Sequence, residues 1–268
     1  MINTEKLLEV AKEAALAAGE IHMEYFGKNK EIFHKQNEFD LVTNVDRQSE
    51  AKIFSIIKRE FPEHCFLGEE SGETCSAQSD FIWIVDPLDG TTNYTHNFPH
   101  FAVSVGLYYK NKPYLGVVFD PFKNEMFWAA KGSGAFLNAE PIEVSSSEKL
   151  STSLLATGFP YGRDGILEEN LGYFHKFIYK AQAVRRPGAA ALDLCYVACG
   201  RLDGFWELNL SPWDVAASIC IIEEAGGKVT NIDSEEFDFD IKDIVASNSK
   251  IHNQIKEVIS ESRKERGL

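Results

Sequence analysis

The length, composition and charge of the chain exclude several classes of protein. Its 268 residues are 44% hydrophobic and 25% charged, which is typical of a globular protein with a sizeable core. The formal net charge of −14 repels polyanions and anionic membranes, so direct nucleic-acid binding and membrane association are not expected. The N-terminal segment is charged throughout and no run of about 18 apolar residues occurs, which predicts a soluble cytoplasmic protein.

The first half of the chain predicts two helices, a buried strand and an antiparallel meander. Apolar residues recur at helical spacing from residue 4 to 26, and Gly27 follows as a stop signal. A second helix is predicted from about Asn44 to Glu60, where Pro62 ends it. The predicted strands are residues 65–68, 81–85, 101–109, 114–120 and 125–130.

The second half alternates strands with helices, which indicates a layered α/β arrangement. Its predicted strands are residues 153–158, 204–208, 243–248 and a strand ending in RRPG. Its predicted helices are residues 166–180, 189–199, 214–225 and one beginning near Lys250. We expect a single domain over 1–268 with a soft division near 145–151, where 1–147 holds the antiparallel sheet and 148–268 forms a smaller α/β half.

The five cysteines predict reduced thiols. They lie at positions 65, 75, 195, 199 and 220, form no Cys-x-x-Cys pair and leave an odd one over. Cys195 and Cys199 are four residues apart on a predicted helix, where buried core thiols are favoured over a metal pair.

Carboxylates at the ends of several predicted elements form a candidate metal site. In WIVDPLDGTTN, residues 83–93, two aspartates follow an apolar strand, and carboxylates gathered there are costly unless a cation lies between them. The acidic residues at these ends are Asp46, Glu69, Glu70, Asp86, Asp89 and Asp214. Carboxylate oxygens suit Mg²⁺ or Mn²⁺, and no His or Cys cluster favours zinc.

A pair of divalent ions in such a site is suited to hydrolysis of a phosphate ester. Two ions about 3.5 to 4 Å apart can clamp a phosphate during in-line displacement by water. Gly90 and Thr91 follow the carboxylates and offer backbone N–H groups to an anion. Metal ligands followed by phosphate-binding amides therefore predict a phosphomonoesterase, in which the cations offset the negative charge of the chain.

Two long segments carry a resemblance to a known family. WIVDPLDGTTNYTHNFPHFAVSVGL (83–107) and WDVAASICIIEEAGG (213–227) resemble the two signatures of the inositol monophosphatase family. DLVTNVD (40–46), GEES (68–71) and RRPGAAALDLCYVACGRLDGFWE (185–207) match other family segments in order, so the resemblance covers nearly the whole chain. It implies a layered αβαβα sandwich of the inositol monophosphatase and fructose bisphosphatase type, a lithium-sensitive enzyme with two or three Mg²⁺ ions per site, for which Mn²⁺ can substitute, and a homodimer.

The resemblance also implies a role for each matching residue. It gives as metal ligands Glu69, Asp86, Asp89, Asp214 and the backbone carbonyl of Leu88. The pair that it implies for orienting and deprotonating the attacking water is Asp46 and Thr91. The residues that it implies for the phosphate cradle are Gly90 and Thr91. Those that it implies for binding the alcohol are Gly188, Ala189, Ala190 and Glu207, with Arg185 beside them. It gives as supporting residues Lys35 and Glu70.

Substrate choice is left open by these motifs. Relatives often carry a hydroxyl residue at the position of Ala189, so one side-chain hydrogen bond to substrate is absent here. Inositol 1-phosphate is the leading substrate, while fructose 1,6-bisphosphate, a bisphosphonucleotide, NADP and histidinol-type phosphates remain alternatives. An alternative of another class is a regulatory binding protein of the transcription machinery with secondary activity.

Several residues near the site also have plainer structural interpretations. Asp214 taken alone is typical of a helix N-cap. His96 and His100 are expected to make structural hydrogen bonds instead of acting as a general base. Trp83 and Trp213 are expected to be core anchors that keep the ligand-bearing ends rigid.

Overall fold

The computed structural model describes residues 2–28, 31–34, 41–75, 79–162 and 165–267. Its helices are α1 (Thr4–Tyr25), α2 (Asn44–Glu60), α3 (Thr91–Thr95), α4 (Gly165–Lys180), α5 (Ala190–Ala198), α6 (Pro212–Glu224) and α7 (His252–Arg266), with a 3-10 turn at Leu150–Thr152. The strands of the first half are β1 (Ile32–His34), β2 (Leu41–Thr43), β3 (Cys65–Gly68), β4 (Gly72–Thr74), β5 (Phe81–Asp89), β6 (Ala102–Tyr109), β7 (Lys112–Asp120), β8 (Glu125–Ala130), β9 (Ala135–Leu137) and β10 (Glu140–Ile142). Those of the second half are β11 (Leu154–Thr157), β12 (Ala183–Arg185), β13 (Gly204–Leu208), β14 (Lys228–Thr230) and β15 (Asp243–Ser247).

Two main sheets organise the molecule. The first has the strand order β10-β9-β8-β7-β6-β5-β3-β4, and only its β3–β5 pairing is parallel. The second has the order β12-β11-β13-β15-β14, with β11 parallel to both of its neighbours. The predicted meander is confirmed by β6, β7 and β8, which pair in sequence order.

Helices cover both sheets and complete the predicted αβαβα layering. α1 and α2 pack on one face of the first sheet, and α5 and α6 lie between the two sheets. α4 and α7 cover the outer face of the second sheet. The approach of α6 is close because β6 offers a glycine, and a Cβ built on Gly106 would lie 3.0 Å from the Ala216 carbonyl carbon. The predicted fold class is therefore confirmed.

The expected division of the chain falls where one sheet gives way to the other. β10 ends the first sheet at Ile142, and β11 begins the second at Leu154. The hydrogen bond from Val144 N to Ala225 O (3.1 Å) connects this segment to the end of α6 in the middle layer. Whether the two halves are separable units stays a prediction.

The cysteines depart from the expectation of five reduced thiols. Cys65 and Cys75 form a disulfide across the β3–β4 hairpin, so the prediction is wrong for this pair. Cys195 is a buried free thiol, as predicted, whereas Cys199 is a free thiol that is only half-buried, and Cys220 is also buried and free. Within the described ranges, no helix has the length and apolarity needed to cross a bilayer.

Candidate active site

A bulge in β5 brings two of the predicted metal ligands to one face. In a regular strand, residues three apart point to opposite faces. Here Asp86 pairs with Ser104 and Asp89 pairs with Ala102, so three residues of β5 oppose two of β6. Because cross-strand partners share a face, both aspartates lie on the side of Ser104. Pro87, which has no N–H to donate to the ladder, occupies the bulge, a position that tolerates proline.

The same face receives the beginning of α6. Ser104 Oγ lies 3.5 Å from the carbonyl oxygen of Trp213, the residue before Asp214. Ser211 precedes the helix, Pro212 is its first residue, and Asp214 Oδ2 accepts the Ser211 N–H at 2.7 Å. The interpretation of Asp214 as the N-cap itself is therefore wrong by three positions, since Ser211 takes that place.

The acidic residues at this face form one electrostatic cluster. Burial raises the pKa of Asp86, and the negative charges of Glu69, Asp89 and Asp214 raise it further. Burial likewise raises the pKa of Asp89, with Asp214 and Asp193 adding to the effect. A hydrogen bond with the Glu69 carboxyl contributes to the raised pKa of Asp86.

This donor set fits a hard divalent cation. The carboxylates of the cluster are anionic oxygen ligands, and they gather where negative charge is poorly solvated. Among the residues described here, no three His, Cys, Asp or Glu side chains converge at a common ligand distance. The fit to a hard cation therefore rests on the chemistry of the carboxylate oxygens and on their electrostatic coupling.

Asp46 and Thr91 form a buried hydrogen-bonded pair beside the cluster. Thr43, Asp46 and the first turn of α2 make a capping box, in which Asp46 Oδ2 accepts the Thr43 N–H at 2.8 Å. The other oxygen, Oδ1, lies 2.9 Å from Thr91 Oγ1. One carboxylate oxygen thus fixes the helix while the other faces the site. Burial raises the pKa of Asp46 to about 6, and the charge of Glu69 adds to the rise.

A left-handed turn at Gly90 carries the chain from β5 into α3. Its φ is +86°, and a Cβ there would lie 3.0 Å from the His100 carbonyl oxygen and 3.1 Å from Ala189 Cβ. Leu88 N donates to Asp86 Oδ1 at 2.9 Å, and the Leu88 carbonyl oxygen lies 3.0 Å from Thr91 Oγ1. This turn therefore brings the Leu88 carbonyl, the Gly90 and Thr91 backbone and the acidic cluster together.

The residues assigned to the alcohol lie across from this turn. Gly188 has φ +92°, Ala189 precedes α5 without a side-chain cap, and Ala190 is the first residue of that helix. Glu207 on β13 is buried, and its carboxylate fills the space that a side chain at Gly158 would need. Burial raises the pKa of Glu207, Asp214 adds to the rise, and Arg186 opposes it.

The structure distinguishes the two neighbouring arginines. Both are exposed, and Arg185 Nη1 donates to the carbonyl of Val184 at 3.2 Å. Arg186 Nη1 lies 2.6 Å from the position of a Cβ built on Gly188, and its positive charge reaches Glu207 and Tyr161. Arg186, which the sequence analysis did not single out, is therefore the arginine that acts on Gly188 and Glu207. Alternation along the extended chain separates the two side chains, but the sequence does not reveal which of them faces the site.

The remaining predictions have mixed outcomes. Lys35 lies outside the described residues. Glu70 is half-buried, and its N–H donates to Glu50 Oε2 at 2.8 Å. His100 is structural as expected, since its Nε2 lies 2.8 Å from Asp193 Oδ1 in a buried pair. Trp83 is fully buried, as predicted for an anchor, whereas Trp213 is half-buried.

Two residues that support the site were missed by the sequence analysis. His22 is fully buried on α1, and its Nε2 lies 2.9 Å from the carbonyl oxygen of Pro87 in the bulge. Burial lowers the pKa of His22 to about 3, so the ring is neutral and donates this bond. Glu50 lies one turn after Asp46 on α2, and its carboxylate occupies the space that a side chain at Gly68 would need. The only sequence signal for either was a polar residue on an otherwise apolar helix face.

Comparisons with known proteins agree with this architecture. A family model described as "Inositol monophosphatase family" matches residues 3–267. The inositol-1-monophosphatase of Synechocystis is 47% identical over 94% of this chain and 88% of its own length. The Nus factor SuhB of Haemophilus influenzae is 40% identical over 96% of each chain. The solved structure of an inositol monophosphatase from Anabaena superimposes with a TM-score of 0.88, at 44% identity over 97% of each chain.

Proposed function

We propose that this chain, which belongs to the inositol monophosphatase family and is a phosphate monoester hydrolase, converts inositol 1-phosphate to inositol and phosphate. The family is generally metal-dependent, and we infer Mg²⁺ as the metal, with Mn²⁺ as a substitute. The observation that carries the proposal is the acidic cluster beside the Gly90 turn, in which Asp86 and Asp89 are buried and Glu69 and Asp214 are half-buried. A separate carboxylate, Glu207, lies at the alcohol end.

In this proposal five groups hold two or three ions. They are the carboxylates of Glu69, Asp86, Asp89 and Asp214 and the backbone carbonyl of Leu88. When bound, the ions supply positive charge to the phosphate oxygens and acidify the attacking water. The backbone N–H groups of Gly90 and Thr91 bind the phosphate from the other side and orient it for in-line attack. By resemblance we also expect lithium to inhibit.

Asp46 and Thr91 activate the water. The Thr91 hydroxyl lies between two acceptors, Asp46 Oδ1 at 2.9 Å and the Leu88 carbonyl at 3.0 Å. As the hydroxyl donates its proton to Asp46, its oxygen accepts a proton from the attacking water. The water oxygen forms the new bond to phosphorus and the ester P–O bond breaks. The leaving alkoxide takes up a proton from solvent, and Asp46 releases the proton it has gained to solvent. No phosphoenzyme is formed.

The proposal is tested first by phosphate release from a panel of phosphomonoesters with and without Mg²⁺. The panel contains inositol 1-phosphate, fructose 1,6-bisphosphate, a bisphosphonucleotide, NADP, histidinol phosphate and a small aryl phosphate. We expect turnover to require the metal and kcat/KM to be highest for inositol 1-phosphate. Absence of metal-dependent release from every member would refute the enzymatic proposal, and another preferred ester would replace the substrate.

Replacing Glu207 by glutamine should change the alcohol preference and leave the phosphate chemistry intact. A polyol offers several hydroxyl donors to the carboxylate, and a lost charge-assisted hydrogen bond is worth about 1.5 to 3 kcal/mol. We expect kcat/KM for inositol 1-phosphate to fall about ten- to a hundredfold, while a small aryl phosphate is hydrolysed nearly as before. Equal losses on both esters would instead assign Glu207 to support of the metal site, and no loss on either would make it a structural residue.

A bisphosphate is the second candidate substrate, and Arg186 favours it. Its guanidinium lies over Gly188, and its positive charge acts on Glu207. An arginine in this position can bind a second phosphate on the alcohol part of a substrate in bidentate fashion. A higher kcat/KM for fructose 1,6-bisphosphate than for inositol 1-phosphate in the panel would decide for this candidate.

A regulatory role in the transcription machinery is the candidate of another class, and one relative bears the name Nus factor. The net charge of −14 opposes direct RNA binding, so such a role would require a protein partner. Homodimer formation and a cytoplasmic location stay predictions.

A further inference from the structure

Asn93 connects the two ends of the candidate active site. It lies on α3, two residues after Thr91, and its Nδ2 is 2.8 Å from the His100 carbonyl oxygen. The same Nδ2 is 2.9 Å from the Pro187 carbonyl oxygen and 3.2 Å from that of Gly188. Three carbonyl acceptors surround one amide, so the NH₂ group is the end that faces them, and its two protons are fully used.

The carbonyls that Asn93 binds belong to the turn that leads into the alcohol-binding group. Gly188 precedes Ala189 and Ala190, which the proposed function places against the alcohol. The phosphate-binding turn touches the same segment, since a Cβ on Gly90 would lie 3.4 Å from the Gly188 carbonyl oxygen. Asn93 therefore spans the short distance between the part of the site that binds phosphate and the part that binds the alcohol.

A second buried connection holds the opposite side of this turn. The carboxylate of Asp193, on α5, is stabilised by the nearby backbone N–H groups of Gly188 and Ala189. Its Oδ1 also lies 2.8 Å from Nε2 of His100, whose carbonyl is bound by Asn93. The carbonyl side of the turn is thus bound to α3 through Asn93, and its N–H side lies against Asp193, which pairs with His100.

We propose that Asn93 is a positioning residue that sets the spacing between the phosphate-binding turn and the alcohol-binding turn, and that it thereby couples recognition of a polyol to hydrolysis. A polyol phosphate must contact both turns at once, and a displacement of about 1 Å between binding groups and reacting atoms can cost a hundredfold in rate. A small aryl phosphate contacts only the phosphate end, so it does not depend on this spacing. The inference rests on the proposed function because it uses the assignment of Gly188, Ala189 and Glu207 to the alcohol.

Asn231 provides a matched control elsewhere in the chain. Its Nδ2 also binds three backbone carbonyls, those of Asp238, Ile241 and Asp243, at 3.2, 3.0 and 2.7 Å. This network lies in the loop between β14 and β15 of the second sheet and shares no hydrogen bond with α3 or with the Gly188 turn. Asn231→Ala therefore removes the same kind of contact without affecting the proposed spacing.

The experiment compares Asn93→Ala, Asn93→Ser and Asn231→Ala with the parent. For each, kcat and KM are measured for inositol 1-phosphate and a small aryl phosphate, together with inhibition by inorganic phosphate and the melting temperature. In Asn93→Ala we expect kcat/KM for inositol 1-phosphate to fall about ten- to a hundredfold, with the aryl ester and the phosphate inhibition constant within about threefold of the parent. Asn93→Ser keeps one hydrogen-bond donor, so its kcat/KM for inositol 1-phosphate should fall less than that of Asn93→Ala. Asn231→Ala should lower the melting temperature without changing the ratio of kcat/KM between the two esters.

Combination with Glu207→Gln separates this inference from the proposed function. If Asn93 sets the spacing, the loss of kcat/KM caused by Glu207→Gln should differ less between the two esters in the Asn93→Ala background than in the parent. Equal losses of Asn93→Ala on both esters, or no loss on either, would overturn the inference. If Asn93→Ala does not fold, an unchanged ester ratio in Asn93→Ser overturns it. If Glu207→Gln alone does not lower kcat/KM selectively for inositol 1-phosphate, the assignment of the alcohol end is refuted, whatever the result for Asn93.

Discussion

Replacement of Asp89 by asparagine is expected to lower kcat about a thousandfold or more while the protein still folds. The change removes one charge from the proposed metal ligands, and cations at such a site contribute several kcal/mol to stabilisation of the transition state. At about 1.4 kcal/mol for each factor of ten, that contribution corresponds to three orders of magnitude or more. Phosphate release at saturating Mg²⁺ measures the effect. Substantial turnover by the variant would remove Asp89 from the metal site.

The same substitution should raise stability when no metal is bound. Asp89 is buried, and its proximity to Asp214 and Asp193 makes ionisation costly, as its raised pKa indicates. Asparagine is neutral, and its side-chain carbonyl can still accept the Leu192 N–H, which lies 3.3 Å from Asp89 Oδ2. A rise in melting temperature of a few degrees in chelator is the expected result, at about 2 to 4 °C for each kcal/mol.

Asp120→Asn is the control for this variant. Asp120 is also a fully buried aspartate, but its Oδ2 pairs with Lys123 Nζ at 2.5 Å. Its Oδ1 accepts the backbone N–H of Lys123 at 2.9 Å. Removing the Asp120 carboxylate leaves the Lys123 ammonium unpaired, so this variant should have a lower melting temperature in chelator. Its kcat should equal that of the parent. A fall in melting temperature for both variants would show that Asp89 is a stabilising acid like Asp120.

The parts of the fold that local pattern specifies could be predicted from the sequence. The capping box at Thr43 and Asp46 and the apolar face of α2 are local signals, and the predicted bounds of that helix are confirmed. The meander followed from β-branched runs separated by turn residues. The three-residue strands β4 and β14 were not predicted because each is specified by its partner strand, with few apolar residues of its own.

The parts of the site that depend on tertiary contacts could not be predicted. The sequence predicts that Asp86 and Asp89 gather at one cation, but their spacing in a regular strand would place them on opposite faces. Only the pairing of β5 with β6 reveals the bulge that unites them. His22, Glu50 and Asn93 bind the backbone of Pro87, Glu70 and Gly188, which lie 65, 20 and 95 residues away along the chain, distances that no local pattern encodes. The disulfide likewise follows from the antiparallel β3–β4 hairpin, which pairs Phe66 with Thr74, the neighbours of the two cysteines.

The buried acids should make the stability of the metal-free protein fall as pH rises, because they bind protons more tightly in the folded state. His22 and His252, whose pKa values burial lowers to about 3 and about 4, oppose this effect below pH 6.5. Burial raises the pKa of Asp46 to about 6, and it also raises those of Asp86, Asp89 and Glu207. Between pH 4 and the raised value, the folded protein holds protons that the unfolded chain has released, so the free energy of unfolding decreases with pH. For Asp46 alone, a rise of about two pKa units corresponds to at most about 3 kcal/mol.

Mg²⁺ should reverse this trend, and its stabilising effect should grow with pH. A ligand that binds only the folded state adds about 2.7 kcal/mol at a hundredfold excess over Kd. Protons compete with the metal for the same carboxylates, so the gain is small near pH 5 and larger above the raised pKa values. Melting temperatures in Mg²⁺ and in chelator, taken at each pH from 5 to 8, measure the effect as a difference. Buried His22, whose pKa is lowered to about 3, contributes equally to both conditions and cancels. Asp89→Asn should reduce the difference at pH 8. Binding at the acidic cluster would be contradicted by a difference in melting temperature that is independent of pH, or by melting that does not respond to Mg²⁺ over a wide concentration range.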